Sequence, residues 1–508
     1  MATYSSLRAS VPLAFVPFLL ALALLAGCRV DQKKEVQLYR DVLDRMTDGK
    51  APRYAPGEPL TLEKTLALTN WYSEQLAIRG ENYLQALIAK DRAASAFFPT
   101  ISLAPSYYRQ DPVSGSSGAN IANKRFDVPV NGNMNLFNGF RDIANVRLAA
   151  YTIEQQRWLL LDMQQEVLLD VARTYYQVLR AEGSVQVLRN SLRVQEERVR
   201  DMQAKQRVGN ARPLDVAQTE AEAAATRVSL VQAISDVRNG RNTLAFLVGA
   251  PVADSPLLDR YQLPAEVPSV DDLLKSAHES REDYRAAFAA VQASRQNVEA
   301  AIGQYYPSVT LNVNYFLYRE SLPSASDWNA ILQANLPIFT GGLIHANVRT
   351  AWSQLRQARL EESLLDRQIT QDVQVAYENL RANAERIKEL QVQLAASQQA
   401  FNVAERQYQI GLATNLERLT AQDNLLSTQL QLTQAQFDRK IFYLDLQRVS
   451  GRLRISNPEE QPGLTTQPAT RGAGVPNELL PASTTQPATQ PIEIKLPLPA
   501  TLPATTLP

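Results

Sequence analysis

Thiols and imidazoles are scarce in this 508-residue chain: one thiol, Cys28, and two imidazoles, His278 and His345. A single cysteine excludes a disulfide within the chain, and two histidines far apart in helix-rich surroundings do not make a Cys/His metal cluster. No glycine-rich phosphate loop and no metal-ligand spacing occurs, which argues against an enzyme. The thiol stands apart. Arg8 precedes an apolar run over residues 11–26, and the small residues Ala26 and Gly27 stand directly before Cys28. A positive charge, an apolar run and small residues at a cleavage point make a secretion signal. A cysteine left as the new N-terminal residue can accept a diacylglycerol on its sulfur.

The segment Leu25-Ala26-Gly27-Cys28 resembles the lipobox of bacterial lipoproteins. An ordinary signal peptide with a chance cysteine is the alternative. On the lipoprotein reading, residues 1–27 are a removed signal peptide, and diacylglycerol and palmitate on Cys28 are the only non-protein groups expected. Arg29 follows where an Asp would retain many lipoproteins at the inner membrane, which by analogy points to the outer membrane. Past the signal, no stretch of 18 uncharged apolar residues occurs, so any crossing of a membrane must use strands. Lys and Arg number 52 and Asp and Glu 52, without blocks of one sign. Such balance argues against nucleic acid as a partner.

Two flanking segments frame the chain. Residues 28–59, with Pro52, Pro56 and Pro59, read as a lipidated polar linker. Residues 452–508 hold 11 of the 28 prolines and repeat Thr-Thr-Gln-Pro-Ala-Thr, a composition that cannot bury a core and reads as a disordered tail. Between them lie two copies of one unit, residues 60–250 and 251–451. At an offset of 202, Leu136-Phe137-Asn138-Gly139 matches Ile338-Phe339-Thr340-Gly341, Tyr175 matches Tyr377, Val208-Gly209 matches Ile410-Gly411, and Asp215 matches Glu417. Upstream, Phe98-Pro99 matches Tyr306-Pro307 at an offset of 208. A match this long without gaps marks an internal duplication.

Each copy runs helix, strand, loop, strand, long helix, turn, helix. The opening helices are expected over residues 62–97 and 270–305, each stopped by an aromatic-Pro pair. Four stretches alternate with period two: Ile101 to Tyr107, Phe126 to Leu136, Val309 to Leu317, and Trp328 to Ile338. One face of each is apolar and the other carries Asn, Gln, Ser or Thr. Alternation alone fits a half-buried antiparallel sheet equally well. With the thiol motif and the long helices, it reads as transmembrane barrel strands, lipid on one side and water on the other. Four strands cannot close around water, so several chains must share one barrel.

Residues 141–207 and 345–409 contain no proline, and a helix of that length is roughly 100 Å long. Val171, Val178, Val185, Leu192 and Val199 recur every seven residues, as do Val373, Leu380, Ile387, Leu394, Phe401 and Tyr408. That is a coiled-coil seam. The return is expected from two shorter helices, residues 214–248 and 270–305. The equivalent return for copy two would come from residues 62–97.

The ordered set of signal, duplicated strands and long helices over roughly residues 60–451 resembles the TolC-type outer-membrane efflux family, its lipoprotein branch in particular. Leu60-Thr61-Leu62-Glu63-Lys64-Thr65-Leu66 is similar to that family's opening helix, and Phe98-Pro99 before Ile101-Ser102-Leu103 to its first helix-to-strand step. The resemblance implies a mostly α fold: a duplicated coiled-coil tunnel plus a transmembrane β-barrel to which each chain gives four strands, closed as a homotrimer. It implies an exit duct for small molecules, working with a periplasmic adaptor (membrane fusion) protein and an inner-membrane pump. A type I protein-secretion duct and a non-pore coiled-coil envelope lipoprotein are the alternatives. The hairpin tips Val208, Gly209, Asn210 and Ile410, Gly411, Leu412 would contact the adaptor, or serve simply as turns. Asp215 and Tyr408 match a bridge of the family's periplasmic gate. Glu417 matches its acidic constriction, the alternative being a solvated carboxylate. Ala413 and Thr420 depart from the family there, so a gate would be held by other contacts.

Overall fold

A computed structural model describes residues 30–44, 52–109, 124–264, 266–319 and 326–453. Cys28, the signal peptide and the segment from residue 454 onward lie outside the described residues.

The first element was not foreseen. Within the expected linker, α1 spans Gln32–Leu43, started by Asp31, whose carboxylate accepts from the amides of Lys33 and Lys34. Its polar residues hid an apolar edge. Tyr39 and Leu43 are buried against Leu76, Leu160 and Val167. The Tyr39 ring fills the space a side chain at Gly80 would need. The Leu43 carbonyl accepts from Asn70 and Gln164 at 3.2 and 2.9 Å.

A two-residue strand, β1 (Leu60–Thr61), leads into α2 (Leu62–Tyr72) and α3 (Glu74–Ala94). Copy two repeats the pair as α6 (Val270–Ser280) and α7 (Glu282–Ile302). Each was expected as one helix, and each is broken by a single extended residue, Ser73 (ψ 118°) or Arg281 (ψ 129°). No proline or glycine marks either break. At the second, the buried Arg281 guanidinium pairs with Asp283 at 2.6 Å and with Asp372 at 3.1 Å, a tertiary contact that propensity cannot announce. The capping residues are legible: Thr61 and Ser269, 208 apart, each accept the backbone amide three positions on.

The strands follow: β2 (Thr100–Leu103), β3 (Ser106–Arg109) and β4 (Lys124–Asn138). The long helix α4 (Arg141–Arg207) turns into α5 (Pro213–Val248), with proline at its first position, where no amide is needed. After the two-residue β5 (Leu257–Leu258) and the α6–α7 pair come β6 (Ser308–Arg319), β7 (Trp328–Asn335), α8 (Leu343–Gln409) and α9 (Asn415–Val449). Both long helices hold 67 residues and start 202 apart, as the duplication requires.

The main core lies midway along the hairpins. Leu60, Leu66 and Leu68 pack on Leu168, Val171, Tyr175, Leu244 and Val248. A smaller cluster in copy two joins Leu273, Ile369, Val373, Leu380 and Leu446. The helix α7 packs on both α4 and α8, whereas α3 packs along α4. Trp352, Leu360 and Leu364 on α8 remain exposed. Within one chain, therefore, the segment expected to complete the return of copy two lies on the other long helix.

Candidate functional site

The barrel strands form one open sheet. Both β2 and β3 pair with β4, which pairs with β6, which pairs with β7, all antiparallel. The first expected strand is thus split into β2 and β3, and the fourth stops at Asn335 rather than Ile338.

Register turns the sequence alternation into two continuous faces. Asn131 stands opposite Asn314, Asn133 opposite Asn312, and Asn314 opposite Asn329. The amide of Asn314 donates to Asn329 at 2.9 Å, and that of Asn133 donates to Asn312. On the other face Met134, Leu311 and Leu332 make a row, and Val130, Tyr315 and Trp328 another. Two bulges adjust the alternation. The register skips Leu136, so Phe137 faces Val309. It skips Leu317 as well, so Tyr318 faces Val128. Alternation in the sequence could not show either shift, because a bulge is a property of the pair of strands.

Large apolar side chains on this sheet are uncovered: Ile101 is 74% exposed, Leu332 67% and Trp328 61%. An uncovered apolar sheet face has no place in water. Aromatic residues mark both ends of it. Phe137, Phe140 and Tyr306 stack edge to face at the helix end. Tyr107 faces Phe126, and Phe126 contacts Tyr318, at the far end. From Phe126 to Phe137 the strand covers about 36 Å, or about 28 Å along a membrane normal at a tilt of ~40°. Membrane barrels carry an apolar band of about 25 Å between two aromatic girdles.

At the opposite end of the helices the two tips have one construction. Gly209 (φ 80°) and Gly411 (φ 77°) occupy the left-handed region that glycine adopts without strain. The next amide reaches back to close the last helical turn, Asn210 to Lys205 at 2.8 Å and Leu412 to Gln407 at 2.7 Å. Val208, Ile410 and Leu412 are 70–75% exposed, an unusual crown of apolar side chains at two turns.

Just inside the tips the expected Asp215–Tyr408 bridge is replaced. Arg212 donates twice to the Asp215 carboxylate, at 3.0 and 2.9 Å, and these bonds hold it below the usual carboxylate range. Tyr408 instead donates to the Met202 sulfur at 3.4 Å, and Arg418 stacks over its ring at 4.2 Å. The two hairpins are joined by a network that the sequence reading missed. Arg198 on α4 pairs with Glu405 on α8 at 3.1 Å and lies 5.0 Å over the Phe401 ring. Asn415 donates to the Asp215 carbonyl at 3.2 Å and accepts from Arg418 at 2.8 Å. Burial lowers the basicity of the Arg198 guanidinium, and Glu405 opposes that shift. Positions 198, 405 and 418 are opposite charges on three different helices, so no local spacing exposes the set.

Glu417 completes a capping box. Its carboxylate accepts from the Thr414 amide at 2.7 Å, while Thr414 accepts from the Glu417 amide, and the pairing lowers the acid's pKa. It also borders an open groove of about 550 Å³ between α8 and α9, alongside Ala400, Leu416 and Thr420. His278 is structural, held by the Leu274 carbonyl at 2.8 Å and Asp366 at 3.0 Å. Among the described residues no group of three His, Cys, Asp or Glu side chains is placed to hold a metal ion, and no helix is long and apolar enough to cross a membrane.

An apolar-and-amide sheet with two open edges, carried on helical hairpins about 100 Å long, defines a membrane-embedded channel subunit with a long extramembrane extension. The chain belongs to the outer membrane efflux protein family, whose sequence profile matches residues 84–250 and 273–452. It is similar to the outer membrane efflux protein BepC of Brucella suis, 28% identical over 326 residues that span 63% of this chain and 71% of BepC. It is similar to the probable efflux pump outer membrane protein TtgC of Pseudomonas putida, 29% identical over 59% of this chain and 63% of TtgC. Among solved structures, VceC of Vibrio cholerae shares the fold with a TM-score of 0.68 at 21% identity, covering 77% of this chain and 96% of that one. The outer membrane is the location these relatives share.

Proposed function

We propose that three copies of this chain close one twelve-stranded barrel in the outer membrane and one helical tunnel below it, forming the passive exit duct of an efflux pump for small molecules. The observation that carries this reading is the sheet with both edges open and its apolar face uncovered. Unpaired strand edges are not tolerated in lipid, so sister sheets must supply the missing partners. The helices support the same closure. In one chain α7 bridges the two long helices α4 and α8, whereas its repeat partner α3 packs on α4 and on the short α1. A sister chain's α8, with Trp352, Leu360 and Leu364 exposed, fits the other side of α3.

On this reading the amide face lines the lumen and the chain performs no catalysis. The exposed apolar crowns at Val208, Ile410 and Leu412 suit a periplasmic adaptor protein, which would link the duct to an inner-membrane pump. The network of Arg198, Glu405, Arg418, Asn415, Asp215 and Tyr408 holds the two hairpins of each chain together at the closed end. Glu417 at the groove beside it would draw cations if three copies surround an axis. Cys28 would carry the lipid anchor, a separate matter that mass spectrometry of the mature N-terminus decides. For the duct, the purified protein should sediment as a trimer in detergent and conduct ions across planar bilayers. A monomer that stays soluble without detergent would overturn it.

A further inference from the structure

At the end of the sheet farthest from the helices, the β3–β4 register sets Arg109 directly opposite Lys124. Two residues back along each strand stand Tyr107 and Phe126, also opposite each other. Side chains two apart share a face, so both cations project from the apolar face, just past the outer aromatic girdle. Like charges directly opposite on neighbouring strands repel. Neither Arg109 nor Lys124 has an ion-pair partner among the described residues. The one carboxylate of the described strands, Asp127, lies on the other face, paired with Arg125 at 2.5 Å and opposite Arg319.

We propose that Arg109 and Lys124 form a clamp for the phosphate of a lipid headgroup in the outer leaflet. The phosphate would supply a negative charge that no described residue gives this pair, with the guanidinium giving a planar pair of donors and the ammonium a point charge. Tyr107, Phe126 and Tyr318 below would lie along the first part of the acyl region, where aromatic rings favour the interface. Each chain carries one clamp, so a trimer carries three. This assignment rests on the reading of the apolar face as lipid-facing.

The test uses the full-length trimer, purified in mild detergent and presented with lipid A or with its dephosphorylated form, with retention read by native mass spectrometry. The double variant Arg109→Gln/Lys124→Gln should retain lipid A at least tenfold less well than the unaltered protein and the dephosphorylated lipid equally well. Arg109→Lys, which keeps the charge and loses the planar pair of donors, should retain lipid A better than the double variant and less well than the unaltered protein. Equal retention of lipid A by the double variant overturns the clamp. Displacement of lipid A by equimolar inorganic phosphate overturns the headgroup as its occupant. Conductance in planar bilayers is read in parallel. An unchanged conductance with lost lipid retention isolates the clamp, whereas absence of any conductance in the unaltered protein sinks the barrel reading instead.

Discussion

Arg198 and Glu405, on long helices of different repeats, meet at 3.1 Å with side chains 16% and 25% exposed. Glu405 is also 4.0 Å from Arg418, which is 4% exposed. One carboxylate thus stands between two guanidiniums. Glu405→Ala should leave these cations facing one another, at a cost of about 2–3 kcal/mol to the packing of the tips. Single-channel recording should show a larger or more frequent open state, and a closed-state conductance like that of the unaltered protein would show that the pair does not hold the tips.

The duplicated tyrosines are not equivalent. The Tyr175 hydroxyl donates to the Leu60 or Leu258 carbonyl, at 2.8 and 2.9 Å, and accepts from the Leu258 amide at 3.1 Å, fastening the β1–β5 ribbon. Tyr377 is half-buried beside Leu263 and Tyr443. Tyr175→Phe should therefore destabilise the protein by about 1–3 kcal/mol through unsatisfied buried backbone groups, while Tyr377→Phe should be close to neutral. Thermal unfolding of the two variants side by side checks the ordering.

Burial and the neighbouring Asp423 raise the Glu222 carboxyl to about 7 from an ordinary 4.5. A carboxyl raised in the folded state favours folding while protonated. That contribution is complete below the unfolded pKa and is lost as pH rises through about 7. The α5–α9 contact should weaken between pH 5 and 8, and Glu222→Gln should flatten the dependence. Hydrogen exchange of the tip helices at the two pH values measures it.

Glu417→Ala removes half of a capping box, and α9 should lose about 1 kcal/mol at its start. Where three copies of Glu417 line the tunnel axis, the same change should also lower the preference for cations, read as a shift in reversal potential under a salt gradient. Glu417→Gln, which can still cap, separates the two effects: selectivity falls while stability is largely kept.

Periodicity and duplication were enough to reveal the long helices, the two turns and the four amphipathic strands, because those features repeat along the chain at 3.6, 3.5 or 2 residues and again at 202. The matching of Val208-Gly209 with Ile410-Gly411 placed both tips correctly, since a left-handed glycine after a helix is a local demand. The helix hidden at Gln32–Leu43 was missed because the apolar residues it buries, Tyr39 and Leu43, gain meaning only against Leu76 and the space beside Gly80. The expected bridge from Tyr408 to Asp215 failed for a similar reason. Arg212, three residues away, claims the carboxylate, and Met202 receives the phenol.

The sequence by itself determined what each segment is: which stretches are helix, which strands have one apolar face, and that the unit occurs twice. Tertiary structure decided what meets what. The bulges at Leu136 and Leu317 set which aromatics share a face, the breaks at Ser73 and Arg281 bend helices that propensity would leave straight, and the Arg198–Glu405–Arg418 set joins helices distant in the chain. Local propensity acts over one or two turns, whereas register and ion pairing depend on surfaces that exist only after the hairpins have packed.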